Sequence, residues 1–276
     1  MLIKKAKSYG FCFGVKRAVE IAEKSQNAVT LGPLIHNPLE INRLAKNYNV
    51  KYVDTLDDID KNIKRVIVRT HGIPKEDLEK LKEKNVEIID ATCPFVKKPQ
   101  EIVEEMSKNG YDIVIFGDIN HPEIKGVKSY STHNRVFVVL SEEELKDKKL
   151  HEKIAVVAQT TRKIDDYLKI INYLVKNYKE VRVFNTICNA TFENQDAVRE
   201  LSKEADIMII IGGKNSSNTK QLYNIAKENC ESYLVENEEE IDSNWFKNKK
   251  ICGISAGAST PEWLVEKIIS KIKEVT

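Results

Sequence analysis

The chain repeats itself three times, and no other feature of it restricts the fold so tightly. Reading forward from Cys12 gives the amphipathic stretch VKRAVEIAEKS, the apolar run AVTLG and the segment LIHNPLEINRLAKN. From Cys93 the same order is PQEIVEEMSKNG, DIVIFG and INHPEIKGVKSY, and from Cys188 it is NQDAVRELSKEA, DIMIIIGG and KNSSNTKQLYNIAKEN. Each set reads as helix, buried strand, polar turn and helix. Downstream, KYVDTLDDI, RVFVVLSEEEL and SYLVENEEEI are apolar strands followed by acids, and RVIVRTHG, KIAVVAQTT and KICGISAGAS are apolar runs ending in small or polar turns. A helical segment follows each of those turns.

The first two repeats finish with VEIIDATCP and VRVFNTICN, a strand that runs into the next cysteine, whereas the third ends without one at Thr276. The segment LIKKAKSYGFC at the N-terminus has the length to supply it. We therefore expect three similar units of ~80–100 residues: 13–93, 94–186, and 187–276 completed by residues 1–12. Strands that alternate with helices and are apolar throughout are parallel strands covered on both faces. The predicted fold is α/β: three similar small α/β domains with mostly parallel sheets arranged around a pseudo-threefold axis.

Three equivalent units on such an axis bring three equivalent residues together, and here those are Cys12, Cys93 and Cys188. A cubane [4Fe–4S] cluster carries a threefold axis through one iron. Three thiolates hold three irons and leave the fourth without a protein thiolate, whereas full ligation takes four cysteines. Zinc on three cysteines is the competing metal. Zinc sites usually draw a close ligand pair from a short knuckle, and the chain has no CxxC, so ligand logic favours the cluster. Cys230, placed late in a helix, and Cys252, inside the strand ICGIS, read as core residues.

Ligands of open parallel sheets bind at the carboxyl ends of the strands, where all the polar turns fall. Asn37 is placed to cap a helix with Pro38 next to it and His36 just before. His121, Pro122 and Glu123 hold the same place in the second repeat, and Ser216, Ser217 and Asn218 in the third. A second ring of turns contributes His71, Thr160, Thr161 and Ser259. Six helix N-termini aimed at one centre make an anion site, so the substrate is expected to be anionic. Glu123 is the one carboxylate in the inner turns, and beside His121 and Thr160 it is placed to pass protons to a substrate on the open iron. His133 and His151 lie outside the turns and read as surface residues. No GxGxxG or Walker pattern is present, so electrons are expected from the cluster.

Charge and hydropathy exclude other classes. The 44 basic and 42 acidic side chains are interleaved, which argues against a nucleic-acid or membrane-surface protein. The longest run of large aliphatic residues, Ile207 to Ile211, is far below the ~18 needed to span a bilayer, and no export signal is visible at the N-terminus. The expected location is cytoplasmic.

The ordered set GFCFGV, LIHNP, THGI, ATCP, NHPE, QTT, TICNAT, KNSSN and SAGAS closely resembles the LytB/IspH family, the 4-hydroxy-3-methylbut-2-enyl diphosphate reductases of the non-mevalonate isoprenoid pathway. The resemblance covers nearly the whole chain. It implies one [4Fe–4S] cluster per chain on Cys12, Cys93 and Cys188. It also implies a diphosphate bound by His36, His71, His121, Ser216, Ser217, Asn218 and Ser259, with Glu123, His121 and Thr160 handling protons. The implied reaction removes an allylic hydroxyl with two electrons and two protons and gives isopentenyl and dimethylallyl diphosphates, and the implied electron donor is a ferredoxin or flavodoxin. The chain departs from the family after TICNAT, where Asn194 stands in place of an expected arginine. Two other readings stay open at this stage: a non-redox dehydratase using the open iron as a Lewis acid, and a binding or sensor protein whose metal is structural.

Overall fold

The computed structural model describes the backbone of residues 1–276 and every side chain except that of Thr191. In chain order, β1 (Leu2–Lys5) leads to α1 (Phe13–Lys24), β2 (Val29–Leu31), α2 (Pro38–Tyr48), β3 (Lys51–Val53), β4 (Arg65–Val68), α3 (Lys75–Lys82) and β5 (Glu87–Asp90). Next come α4 (Pro94–Lys108), β6 (Asp112–Phe116), α5 (Pro122–Ser129), β7 (Val136–Val139), β8 (Lys153–Ala158), α6 (Ile164–Asn177) and β9 (Glu180–Val183). The remainder is α7 (Asn189–Ser202), β10 (Ile207–Ile211), α8 (Ser217–Lys227), β11 (Glu231–Val235), β12 (Ile251–Ala256) and α9 (Glu262–Val275).

The strands form three four-stranded sheets in which every pairing is parallel, ordered β3-β2-β4-β5, β7-β6-β8-β9 and β11-β10-β12-β1. The N-terminal strand fills the fourth place in the last sheet, with Leu2 opposite Ile251 and Lys5 opposite Ile254. Central strands are apolar on both faces because both faces are covered. In β10, Ile207, Ile209 and Ile211 pack into one core with α9, while Met208 and Ile210 enter a second core with α7 and α8. Buried β6 does the same for the middle sheet, where Ile113 and Ile115 pack with Val103, Met106 and Ile124 from α4 and α5.

Backbone hydrogen bonds make the threefold repetition explicit. Gly32, Gly117 and Gly212, each next after a central strand, donate their N–H groups to Val53, Val139 and Val235 at 2.7, 3.0 and 2.9 Å. An added Cβ would lie 2.9 Å from Ile124 at Gly117 and 2.7 Å from Thr260 Oγ1 at Gly212, and at Gly32 it would displace the end of the Arg69 side chain, 2.2 Å away.

By packing, the chain forms two compact units, Met1–Glu20 with Ile35–Asn49 and Asn189–Thr276, and Ile21–Leu34 with Val50–Cys188. Helix α2 follows β2 in sequence, yet it belongs to the unit built on β10 and β12, and its Leu39 packs against that sheet's core. Among the described residues no helix is long and apolar enough to cross a membrane.

Candidate active site

In each sheet the order of strands reverses between two central neighbours: β2 and β4, β6 and β8, β10 and β12. Those are the switch points at whose carboxyl ends ligands bind, and the expected residues are distributed over them. The three cysteines occupy equivalent positions. Cys12, Cys93 and Cys188 each donate a backbone N–H to the second residue beyond the neighbouring strand, the carbonyls of Ala258, Thr70 and Thr160, at 3.2, 3.0 and 2.9 Å. Each cysteine stands where a strand segment gives way to a helix, and Cys93 is itself the residue capping α4, with Pro94 in the first helical position. Burial pushes the Cys12 thiol up, against the pull of backbone N–H groups at Val15, Gly14 and Cys12 itself.

The middle sheet holds the acid. Glu123, in the first turn of α5, is 1% exposed, and its carboxylate accepts both hydrogen bonds that Thr160 offers, from N–H at 2.7 Å and from Oγ1–H at 2.7 Å. Burial raises the Glu123 carboxyl above the usual carboxylate range, opposed by those two bonds and by the charge of Arg162. The same Thr160 therefore grips Glu123 with its donors and Cys188 with its carbonyl. His121 caps α5: its Nδ1 accepts the Glu123 N–H at 3.2 Å, which assigns any ring proton of the neutral form to Nε2. His71 meets the His121 ring edge to face at 5.7 Å.

The last sheet holds the polar turns. Ser216 caps α8 by accepting the Thr219 N–H at 3.3 Å, and Asn218 lies two residues inside that helix. Asn218 is buried, and among the described residues neither its amide nitrogen nor its amide oxygen has a hydrogen-bond partner. Ser217 and Ser259 are half-buried, the latter in the turn after β12. Thr260 joins that turn to β10 by donating to the Ile211 carbonyl at 3.1 Å. His36, half-buried, approaches from α2: a Cβ on Gly213 would lie 2.9 Å from the His36 carbonyl oxygen, so only glycine allows this contact.

These placements revise the expected ring of six helix N-termini. The first three turns do cap helices, through Asn37, His121 and Ser216. The second three do not. α3, α6 and α9 begin after Pro74, Lys163 and Pro261, so His71, Thr160 and Ser259 sit in tight turns directly after their strands and offer side chains and carbonyls there. Cys230 also moves. It lies past the end of α8, in the turn before β11, because the helix ends at Lys227. His151 is an exposed residue paired with Asp112 at 3.3 Å, whereas His133 is half-buried and its Nδ1 accepts the Arg135 N–H at 3.2 Å.

Residues 3–273 match the family described as LytB protein. The chain belongs to the LytB family. Among LytB-family relatives, the 4-hydroxy-3-methylbut-2-enyl diphosphate reductase of Nautilia profundicola is 83% identical, with 100% of each chain covered. The proteins of that name from a Nitratiruptor species and from Campylobacter fetus are 69% and 64% identical, again over 100% of this chain and 99% of theirs. A solved structure of (E)-4-hydroxy-3-methyl-but-2-enyl diphosphate reductase, described as the terminal enzyme of the non-mevalonate pathway, superposes with a TM-score of 0.75 at 42% identity, covering 99% of this chain and all of its own. The Plasmodium falciparum reductase structure superposes with a TM-score of 0.90 at 27% identity, covering 98% of this chain and 87% of its own.

For a LytB-family cluster the donor chemistry fits, since three soft thiols occupy one repeated position, each beside the start of a helix. Cys12 belongs to one compact unit, and Cys93 and Cys188 to the other. Among the described residues of neither unit do three His, Cys, Asp or Glu side chains form a group that could hold a metal. Sequence reasoning missed Arg162, which stacks over Phe116 at 5.7 Å and whose charge reaches Glu123. It also missed Glu40, whose only sequence signal is its place three residues after a helix cap. Asn194 is buried, and its amide oxygen accepts a 2.5 Å hydrogen bond from Ser8.

Proposed function

We propose that this chain removes the hydroxyl of (E)-4-hydroxy-3-methylbut-2-enyl diphosphate reductively, as the names of its relatives indicate for them. The observation that carries the reading is the Glu123–Thr160–Cys188 chain, in which one residue bonds both the buried acid and the backbone of a candidate ligand cysteine. The reaction consumes two electrons and two protons. It breaks the allylic C–O bond, forms a C–H bond at either end of the allyl unit, and releases water with isopentenyl and dimethylallyl diphosphates.

Glu123, with its carboxyl biased toward the protonated form, holds the proton destined for the leaving oxygen. In that form the acid O–H points at Thr160 Oγ1, which turns its own O–H outward to the substrate hydroxyl. His36, His71, His121, Ser216, Ser217, Asn218 and Ser259 are assigned to the diphosphate. The amide of Asn218, without a partner among the described residues, supports this best, because a buried amide left unpaired is costly unless a ligand satisfies it. Cys12, Cys93 and Cys188 are assigned as the thiolates of one [4Fe–4S] cluster. Bound there, the cluster supplies the electrons and a Lewis-acid iron for the hydroxyl. A soluble ferredoxin or flavodoxin is assigned as donor and the cytoplasm as location, and the units 13–93, 94–186 and 187–276 with 1–12 are assigned as the three repeats.

Anaerobic protein reconstituted with iron and sulfide, a reduced viologen dye and the allylic diphosphate test the reading together. Two dye electrons per product, and an electron paramagnetic resonance signal altered by substrate, are expected. Turnover without reductant, or no iron–sulfur absorbance after reconstitution, overturns it.

A further inference from the structure

Two buried carboxylates, Asp112 and Glu40, lie outside the machinery described so far, and only Glu40 stands next to a turn assigned to the diphosphate. Glu40 is the third residue of α2, 1% exposed, and its backbone N–H is capped by Asn37 Oδ1 at 3.0 Å. Its carboxylate accepts a forked pair of hydrogen bonds from Arg43, Nη2 to Oε1 at 2.6 Å and Nε to Oε2 at 3.0 Å. A further bond reaches Oε2 from the indole Nε1 of Trp263, at 3.0 Å. Trp263 is the second residue of α9, four residues after Ser259, and Glu40 is four residues after His36. The bond joins two segments 223 residues apart.

Anchoring α2 to this sheet requires no charge. Leu39 already packs into the core beside β10 and β12, and an apolar residue in place of Glu40 would avoid the desolvation cost of a buried carboxylate. What the carboxylate adds is direction: three donors fix its plane, and its plane fixes how α2 meets α9. The Gly213 contact with the His36 carbonyl sets the same helix start against the turn that carries Ser216. Three separate chain segments are thus locked together at the point where their polar side chains must converge.

We propose that Glu40, through Trp263, is a positioning residue that sets the His36 turn against the Ser259 turn so that both reach one diphosphate. The inference rests on the diphosphate assignment of those turns. Glu40→Gln and Trp263→Phe are compared with His36→Asn on the reconstituted holoenzyme, reading KM, kcat, inhibition by inorganic diphosphate and melting temperature. Glu40→Gln is expected to raise KM and the diphosphate inhibition constant about tenfold, the worth of one charge-assisted hydrogen bond, with kcat changed less than about threefold. Trp263→Phe keeps an aromatic ring but loses the fused five-membered ring with its N–H, so a rise of about threefold to tenfold in the same two constants is expected. A lowered melting temperature with both constants unchanged reduces Glu40 to a fold anchor and overturns the proposal, and if Glu40→Gln does not fold, Trp263→Phe decides it. Should His36→Asn itself leave both constants unchanged, the diphosphate assignment fails. Should His36→Asn raise them while Glu40→Gln and Trp263→Phe do not, only the positioning inference fails.

Discussion

Replacing Glu123 by Gln isolates the proton from everything else the side chain does. Gln has the same shape, its amide oxygen can accept the Thr160 N–H now held at 2.7 Å, and its amide nitrogen can donate to Thr160 Oγ1, also at 2.7 Å. Packing around a side chain that is 1% exposed is therefore kept, and so is the Cys188 N–H bond to the Thr160 carbonyl. The change removes only an acidic proton. General acid catalysis contributes about 10²–10⁴ in rate, or about 3–5 kcal/mol of transition-state stabilisation, so kcat should fall by that factor with iron content and KM little altered. The stability test runs the other way. Because burial raises the Glu123 carboxyl in the folded protein, the folded state binds more protons than the unfolded state above the ordinary carboxylate pKa. Its contribution is fully present below that pKa and is lost as pH rises through the folded value, so the melting temperature of Glu123→Gln should gain on the wild type as pH increases from about 4.5. Anaerobic dye-coupled turnover and thermal melts across pH measure both. Turnover of Glu123→Gln within about threefold of wild type would refute the assignment of Glu123 as proton donor.

Thr160→Val removes the relay hydroxyl and keeps the N–H bond, so kcat should drop about 10–100-fold with the iron–sulfur spectrum intact. Asn218→Ala deletes a buried amide that has no partner among the described residues, which relieves a penalty of about 1–3 kcal/mol. The melting temperature of the substrate-free protein should hold or rise while KM increases, and a fall in both would contradict the diphosphate assignment. Cys188→Ser should abolish iron binding by elemental analysis yet leave the circular dichroism spectrum unchanged, since the bond to Thr160 is made by the backbone. Gly117→Ala places a methyl 2.9 Å from Ile124 and 3.0 Å from Gln159 Oε1, a clash worth about 1–3 kcal/mol that thermal melts will register as a lowered midpoint.

The sequence by itself determined the elements, their parallel pairing and the equivalence of the three cysteines. All three follow from local rules: period, turn chemistry and a repeat that places Cys12, Cys93 and Cys188 at one recurring step. The N-terminal strand beside β12 follows from the same count of strands per repeat. Tertiary structure alone decided that α2 packs away from the sheet it follows. Helix amphipathicity says that a face is buried but not against what, and the choice lies with Leu39, Gly213 and the Glu40–Trp263 bond. It also decided that Thr160, rather than a helix terminus, holds Glu123. Those two residues belong to different strand-to-helix turns, and only the neighbouring of β6 and β8 brings their side chains within hydrogen-bonding distance.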